Sequence, residues 1–393
     1  MNPEILNTAV QAYINQNLNS NVAELILKGK AFNGASTLEL AQQIESKQKC
    51  KSKLPTWFFT ENIYYPQKVH IEQTSSEETA RYKAEVLSGN TIIDLTGGFG
   101  VDCLYFSKNF KDVDHCEINI ELSKIATHNF RQLNVKNIKT ILGNGIAYLK
   151  TKNQNYDWIY IDPSRRHDSK GKVFFLRDCK PNLPQNLNAI FDHTTNVAIK
   201  TSPLLDLTAG ISELKFVRQI HIIALNNEVK ELFWILSKNY NEGIDIITSN
   251  ITNQTTESFN FNLYEEQNLD ICYAEPKNFL YEPNSAILKA GAFKVVAERL
   301  RIDKLHQHSH LYTADHLINF PGRRFKIETV LNYNKKAFKK LKLKKANVTV
   351  RNFPNSVRRI RETFKIAEGG TVYLFFTTDL NNNKIIIKCS RIT

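Results

Sequence analysis

A glycine-rich turn between a β-branched run and an apolar segment constrains the fold of this chain more than any other feature. Residues 91–93 (TII) predict a strand, residues 94–102 (DLTGGFGVD) contain three glycines, and residues 101–110 predict a helix. Glycine permits positive φ and lets a ligand approach the backbone closely. This order is typical of the first unit of a nucleotide-binding α/β sheet, although a parallel sheet without a ligand can contain the same turn.

The spacing of the glycines argues against a dinucleotide. Gly97, Gly98 and Gly100 do not form G-x-G-x-x-G. Asp94 would repel a pyrophosphate, whereas its carboxylate can accept a hydrogen bond from the ammonium of a methionine moiety. The segment resembles motif I of the class I S-adenosylmethionine (SAM) methyltransferases. The resemblance implies that its cofactor-binding residues are Asp94, Thr96, Gly97, Gly98, Gly100 and Asp102.

Two further predicted strands end in residues that suit the same cofactor. Residues 113–117 predict a strand ending in Glu117, which follows Asp94 at roughly the spacing where an acid meets a ribose hydroxyl. A crossover helix over residues 119–133 leads to a third predicted strand and then to Asn144. Class I methyltransferases often have an Asp there for the adenine amino group, and the amide oxygen of Asn144 can accept the same hydrogen bond.

A fourth predicted strand, residues 156–161, ends in the turn Asp162-Pro163-Ser164-Arg165-Arg166. The turn resembles motif IV of amino-group methyltransferases, in which Asp/Asn-Pro-Pro-aromatic holds an exocyclic base amine. The resemblance implies catalytic roles for Asp162 and Pro163. The chain departs from that motif, because Ser164 replaces the second proline and Arg165 replaces the stacking aromatic. The remaining candidates for stacking are Trp57, Tyr160, Phe174, Phe175 and the Arg165 guanidinium.

Ser164, Arg165 and Arg166 are predicted to contact the substrate. A solvated pair of surface arginines is the alternative for Arg165 and Arg166. We favour a substrate or phosphate contact, since both arginines follow Asp162 at the carboxyl end of a strand, where α/β sheets bind ligands.

Over nearly its whole length the chain resembles a bacterial family of SAM-dependent methyltransferases with a C-terminal THUMP-like domain. The resemblance is carried by residues 94–102, residues 162–166 and residues 280–293 (LYEPNSAILKAGAF), the last of which is similar to that family's ferredoxin-like module. It implies an RNA methyltransferase. The D-x-T-x-G-x-G-x-D spacing is also similar to a bacterial ribosomal-RNA guanine-N2 methyltransferase, which slightly favours guanine N2.

The excess of basic residues lies entirely in the last fifth of the chain. Residues 315–393 contain 18 basic and 5 acidic residues, and the rest of the chain contains 34 of each. A basic module on a neutral enzyme favours a polyanionic partner, here rRNA or tRNA. A solvated helix face is the alternative, and membrane binding is disfavoured because no strongly apolar face accompanies the lysines. Candidate phosphate contacts are Lys339, Lys340, Arg358 and Arg359.

Composition indicates a cytoplasmic globular protein. We find neither a signal peptide nor an apolar run of about 18 residues. The six cysteines have no metal-ligand spacing and are interpreted as free thiols, so no metal site is expected. His306, His308 and His310 are interpreted as part of a polar strand or loop. The oligomeric state is not predicted.

The predicted fold class is α/β, with a Rossmann-like seven-strand class I methyltransferase sheet, an N-terminal helical domain and small α+β C-terminal modules. Ser36 and Ser76 are predicted helix starts in the helical domain. Lys200, after the fifth strand, is predicted to face solvent, with a substrate contact as the alternative. The predicted segments are residues 1–85 (helical domain), 86–272 (SAM-dependent methyltransferase domain), 275–319 (ferredoxin-like module) and 320–393 (basic THUMP-like RNA-binding domain).

These features predict a cytosolic SAM-dependent RNA methyltransferase that modifies an exocyclic base amine. Two alternatives stay open. One is a SAM-dependent methyltransferase of a protein or small molecule, with the basic module serving assembly. The other is a non-catalytic protein that binds SAM or a nucleotide and docks on RNA.

Overall fold

The computed structural model describes residues 1–152, 154–165 and 175–392. They form two compact units. The first contains residues 1–217 and 233–241, and the second contains residues 218–232 and 242–393. Each unit is described by itself.

The first unit begins with a set of helices that pack around buried apolar side chains. Ser36 caps the longest of them and Glu39 completes a capping box, as the sequence predicts. Ser76 caps the last one. After a 3-10 turn at Pro3–Leu6 the helices are α1 (Thr8–Gln16), α2 (Val22–Lys28), α3 (Thr37–Lys53), α4 (Pro55–Phe59), α5 (Lys68–Gln73) and α6 (Glu77–Val86).

A parallel sheet follows, and its central strands β1 and β4 are largely buried, as is typical of a parallel sheet with helices on both faces. Its strands are β1 (Thr91–Asp94), β2 (Asp112–Glu117), β3 (Ile138–Leu142), β4 (Trp158–Ile161) and, after a short ribbon of β5 (Ser164–Arg165) and β6 (Cys179–Lys180), β7 (Asn196–Thr201). The helices between them are α7 (Val101–Phe106), α8 (Ile120–Gln132), α9 (Gly145–Thr151), α10 (Leu183–Phe191) and α11 (Leu207–Glu213). The spatial order is β3-β2-β1-β4-β7.

The register of this sheet brings the carboxyl ends of its strands to one edge. Asp94 lies opposite both His115 of β2 and Tyr160 of β4, and Ile161 lies opposite Ile199 of β7. All these pairs are parallel. The residues that end β1, β2, β4 and β7 therefore share one edge, where open α/β sheets bind ligands.

The second unit contains β8 (Val217–Leu225, whose first residue belongs to the first unit), β10 (Asp245–Ile251), β11 (Thr256–Asn262) and α12 (Leu263–Asn268). Strand β8 is followed by β9 (Glu228–Ser237). The connection, Asn226-Asn227, has positive φ at both residues, as the type I′ turn of a two-residue hairpin requires. β10 pairs with β8 in parallel and with β11 in antiparallel register.

The seven-strand expectation is therefore corrected. In the described residues, nine strands (β1–β4 and β7–β11) stand where seven were predicted. The sequence analysis missed β9, because residues 231–236 are all buried and show no alternation of polar and apolar side chains. The α/β class is confirmed.

A second sheet fills the remainder of the second unit, in the order β13-β14-β12-β15-β18-β17-β16. β12 pairs antiparallel with β15, so the ferredoxin-like and basic segments contribute to one sheet. Two apolar clusters cover its faces, one around Phe325 and one around Phe376. The elements are β12 (Phe279–Pro283), α13 (Ser285–Ala290), α14 (Lys294–Leu300), β13 (Asp303–Lys304), β14 (Tyr312–Ala314), β15 (Gly322–Asn332), α15 (Lys335–Lys339), β16 (Asn347–Val350), α16 (Val357–Phe364), β17 (Val372–Thr378) and β18 (Lys384–Ile392).

Three general findings complete the fold. No described helix has both the length and the apolarity needed to cross a bilayer. Within the same residues, no group of three or more His, Cys, Asp or Glu side chains is arranged to hold a metal ion. The six cysteines are free thiols, and five of them are buried.

Candidate functional site

The glycine turn is tied to the ends of β1 and β2 by hydrogen bonds to carboxylates. The backbone N–H and the hydroxyl of Thr96 donate to Asp94 Oδ1 over 2.8 and 3.0 Å. The N–H of Gly98 donates to Glu117 Oε2 over 2.8 Å. Asp94 and Glu117, two of the acids predicted to bind the cofactor, therefore also hold the turn in place.

The three glycines of the turn are needed for different reasons. A methyl group on Gly97 would overlap the His115 ring, and one on Gly100 would overlap the Phe130 ring. Packing therefore requires glycine at both positions. At Gly98 (φ +58°) the sole described neighbour within 4 Å of such a methyl group is the Thr96 carbonyl oxygen, at 3.7 Å. The space beside Gly98 is open, as a cofactor cradle requires.

Asp94 is a buried carboxyl group with an unusual titration. Burial raises its pKa to about 7, and the negative charges of Asp102 and Asp162 act in the same direction. Hydrogen bonds from Thr96 oppose this rise. A cationic ligand group beside Asp94 would favour its ionised form, so the electrostatics suit an ammonium better than a phosphate.

Glu117 and Asn144 already accept hydrogen bonds inside the protein. Besides the bond from Gly98, Glu117 accepts one at Oε1 from the N–H of Asn119 over 2.7 Å. Asn144 is the N-cap of α9, and its Oδ1 accepts from the N–H of Ala147 over 3.0 Å. A carbonyl-type oxygen can accept two hydrogen bonds, so the predicted bond from an adenine amine remains a prediction.

The sequence analysis overlooked exposed apolar residues at this edge. Ile118 follows Glu117, and Leu142 lies opposite Glu117 in the register of β2 and β3. Ile118 is 67% and Leu142 56% exposed. The sequence signal for them was an apolar residue at the end of a strand, directly beside a polar residue that can bind a ligand. Such apolar residues can form the walls of a pocket for a ring.

Asp102 lies in a buried ion pair. Lys83 Nζ is 3.0 Å from Asp102 Oδ1, and the Lys83 side chain is fully buried. The hydroxyls of Tyr160 and Ser75 donate to Asp102 Oδ2 over 2.7 and 3.0 Å. Burial by itself would raise the pKa of Asp102, but the charges of Lys83 and Lys200 hold it below its ordinary value. These contacts join α6, α7 and β4, and a cofactor contact by Asp102 stays a prediction.

Asp162 forms an ion pair with Lys200. Lys200 Nζ contacts Asp162 Oδ2, and the N–H of Asp162 donates to the Thr96 hydroxyl oxygen over 2.7 Å. The prediction that Lys200 faces solvent is wrong. Because β7 is the neighbour of β4, the end of β7 lies beside the turn after β4, and the Lys200 side chain is only 11% exposed.

The rest of the turn is partly described. Pro163 is buried, Ser164 is exposed, and Ser164 Oγ donates to the Lys180 carbonyl over 3.4 Å. For Arg165 the structure describes only the backbone, in β5. Arg166 and Phe174 lie outside the described residues.

Two residues considered for base stacking belong to the core. Trp57 is fully buried, and its ring centroid lies 5.9 Å from that of Phe99 in the glycine turn. Tyr160 is also fully buried and donates to Asp102. Stacking by Trp57 or Tyr160 is therefore corrected to core packing.

The predicted phosphate contacts lie in the second unit. Phe338 anchors α15 and Ile360 anchors α16 in one apolar cluster of its sheet. The basic residues of these two helices and of the segment after α15 are largely exposed. The exposed ones are Lys335, Lys336, Lys339, Lys340, Lys342, Lys344, Lys345, Arg358 and Arg359.

Family models match the C-terminal part of the chain. A ferredoxin-like domain model matches residues 279–321, and a THUMP domain-like model matches residues 322–391. No functionally curated protein matches the chain.

Solved structures match over different lengths. A candidate methyltransferase from Porphyromonas gingivalis W83 is 31% identical, with 99% of this chain and 98% of that chain covered and a TM-score of 0.90. An rRNA methylase from Streptococcus thermophilus is 16% identical, with 41% and 94% covered and a TM-score of 0.30. TrmK from M. capricolum, in complex with S-adenosylhomocysteine, is 19% identical, with 41% and 68% covered and a TM-score of 0.32.

Proposed function

Because the chain belongs to the family of the Porphyromonas gingivalis candidate methyltransferase, we propose that it is a SAM-dependent methyltransferase that acts on RNA. The observation that carries the proposal is the open space beside Gly98, between the carboxylates of Asp94 and Glu117. Protein side chains fill the space beside Gly97 and Gly100, whereas the space beside Gly98 is open. Such a cradle suits a ligand with a cationic end and a ribose.

The residues present fit SAM. Asp94 would attract its ammonium, Glu117 would accept from a ribose hydroxyl, and Asn144 would contact its adenine, with Ile118 and Leu142 as apolar walls. Thr96, Gly97 and Gly100 would act by holding the turn, and Asp102 by joining the helix that follows the turn to α6 and β4. SAM supplies a methyl group made electrophilic by the sulfonium.

RNA is proposed as the substrate because of the THUMP domain-like segment and its charge. That segment carries exposed lysines and arginines on helices whose apolar sides are buried. Phosphate neutralisation by such residues gives affinity without sequence choice, so base or sugar selection must come from the methyltransferase site. The particular rRNA or tRNA and the cytoplasmic location remain predictions.

Asp162 and Pro163 are proposed to receive the methyl acceptor. The sequence predicts an exocyclic base amine as the acceptor, with guanine N2 slightly favoured. Asp162 would then accept a hydrogen bond from that amine. Asp162 is 33% exposed, which leaves it within reach of a substrate. Ser164, Arg165 and Arg166 are retained as proposed substrate contacts.

The cofactor proposal is tested by two matched glycine substitutions. Gly98 and Gly29 have similar positive φ, +58° and +65°, and neither is crowded by described atoms. Gly98→Ala and Gly29→Ala therefore add comparable backbone strain, about 1 kcal/mol. We expect calorimetry to show that Gly98→Ala weakens SAM binding at least tenfold, whereas Gly29→Ala leaves it unchanged. Equal SAM affinity in the two variants would contradict the cofactor assignment.

The substrate proposal is tested by transfer of a labelled methyl group. The full-length protein and methyl-labelled SAM are incubated with total RNA from cells that lack the protein, and separately with their protein and small-molecule fractions. We expect label in RNA. Label only in another fraction would support the first alternative, and SAM binding without any transfer would support a non-catalytic protein.

A further inference from the structure

We infer that the group methylated is a ribose 2′-hydroxyl of RNA rather than a base amine. The inference rests on the proposed function and concerns the acceptor at the same site. The observation behind it is the ion pair of Lys200 and Asp162, at the carboxyl ends of neighbouring strands.

The pair offers a donor and an acceptor side by side. Lys200 Nζ contacts one oxygen of Asp162, and the Asp162 side chain is 33% exposed. The backbone of Asp162 is fixed by its bond to the Thr96 hydroxyl, which itself donates to Asp94. The pair is thus held next to the cofactor turn, and its Asp162 side remains partly exposed.

Hydrogen-bond complementarity favours a hydroxyl at such a pair. An ammonium only donates and a carboxylate only accepts, whereas a hydroxyl does both. A ribose hydroxyl can therefore donate to Asp162 and accept from Lys200 at the same time. The amine of a conjugated base presents two N–H donors to the pair and offers no acceptor for an N–H of Lys200.

Charge development points the same way. When a neutral amine takes up a methyl group, its nitrogen becomes positive, and a lysine ammonium beside it opposes that change. When a hydroxyl is methylated, its oxygen becomes more negative as its proton leaves, and the same ammonium stabilises it. Lys200 therefore raises the barrier for an amine and lowers it for a hydroxyl.

The departures from the amine motif fit a sugar acceptor. The aromatic that stacks a base in amine methyltransferases is replaced by Arg165, and Trp57 and Tyr160 are core residues. A ribose has no aromatic face and needs no stacking partner. A base amine would therefore depend on another stacking group, such as Phe175 or the Arg165 guanidinium, whereas a hydroxyl depends on none.

Asp162 and Lys200 supply the groups that the transfer of a methyl group to a hydroxyl needs. The hydroxyl oxygen attacks the methyl carbon of SAM, the new C–O bond forms, and the C–S bond breaks with its electron pair left on sulfur. The hydroxyl proton passes to the Asp162 carboxylate, while Lys200 keeps its protons and donates to the oxygen. The products are a 2′-O-methyl ribose and S-adenosylhomocysteine.

The location of the methyl group is the decisive experiment. RNA methylated by the full-length protein is digested to nucleosides, and each methylated nucleoside is fragmented at its glycosidic bond in a mass spectrometer. We expect the mass of the methyl group in the sugar fragment. A methyl group in the base fragment would overturn the inference and leave the proposed function intact. Absence of label in RNA would instead refute the proposed function.

Substitution of Lys200 provides a second test. We expect Lys200→Met to reduce transfer by about 10²- to 10³-fold, the range for loss of one donor to a developing oxyanion, while SAM affinity measured by calorimetry stays within a few fold. Lys200→Arg, which still donates, should restore part of the activity. Full transfer by Lys200→Met would overturn the inference, since an amine acceptor does not need this ammonium. If Lys200→Met fails to fold, the fragment analysis still decides.

Discussion

The lysines of the methyltransferase sheet and those of the C-terminal module are placed in opposite environments. Lys83 and Lys200 are buried, and each contacts a carboxylate, Asp102 and Asp162. The seven lysines of residues 335–345 are exposed, and none of them forms an ion pair within the described parts of the chain. The same residue type therefore has two separate tasks in one chain.

The difference follows from the cost of removing a charge from water. A buried ammonium must be paired with a carboxylate, because an unpaired charge in the interior is strongly unfavourable. Such a pair has one geometry and can position a reacting group. An exposed ammonium stays hydrated and mobile, and it can exchange counterions for phosphates. Buried lysines suit chemistry, and exposed lysines suit a polyanionic partner.

The largest expected effect is on the buried side of this comparison. Lys83→Met removes the counterion of Asp102 and should lower the free energy of unfolding by about 3 to 5 kcal/mol, because a buried carboxylate is left without its ion pair. Urea denaturation measures the loss. The double variant Lys83→Met/Asp102→Asn should recover part of it, and a loss below about 1 kcal/mol in the single variant would contradict the assigned role.

The titration of Asp94 should produce the next largest effect. Its pKa is raised from 3.8 to about 7, so the folded protein keeps a proton that the unfolded chain releases above about pH 4. The stabilising effect of that proton is complete below about pH 4 and is lost as the pH rises through about 7.

Asp94→Asn removes this titration while Thr96 can still donate to the amide oxygen. We expect the stability of the native protein relative to Asp94→Asn to fall between about pH 4 and pH 7, with a slope of at most about 1.4 kcal/mol per pH unit. Urea midpoints of the two proteins across this range provide the check. Parallel curves would show that Asp94 does not titrate there.

Substitution of the exposed lysines should have a smaller effect, which concerns RNA binding and not stability. Lys339→Gln/Lys340→Gln should reduce the slope of log K against log salt concentration by about 1.4 to 1.8 if both lysines contact phosphates. Exposed lysines that flank the amino ends of β2 and β3 supply the control, Lys111→Gln/Lys136→Gln, which should leave the slope unchanged. Equal slopes in both double variants would place the phosphate contacts elsewhere.

The smallest effect concerns the exposed ion pair of Arg358 and Glu362, 2.9 Å apart on α16. Since both side chains are mostly solvated, Arg358→Gln should shift the melting temperature by less than about 1 °C. It should nevertheless weaken RNA binding, as a phosphate contact would. A clear loss of stability would show that this pair is structural, like the pair of Lys83 and Asp102.

Much of this organisation can be predicted from local sequence. The strands that end at Asp94, Glu117 and Ile161, the helix starts at Ser36 and Ser76 and the family resemblance are confirmed. Each depends on a contiguous pattern, such as a β-branched run before a glycine turn or a serine before a capping glutamate. The roles assigned to the individual site residues stay predictions until SAM and RNA are tested.

By itself, the sequence determined the α/β class, the glycine turn, the turn after β4 and the confinement of the basic excess to one end, because these features are encoded by neighbours along the chain. Only the tertiary structure decided that Lys200 meets Asp162, that Lys83 neutralises Asp102 and that Trp57 packs in the core. Those contacts join residues from separate elements. Strand order and helix docking create them, and no local pattern specifies which buried charge finds which partner.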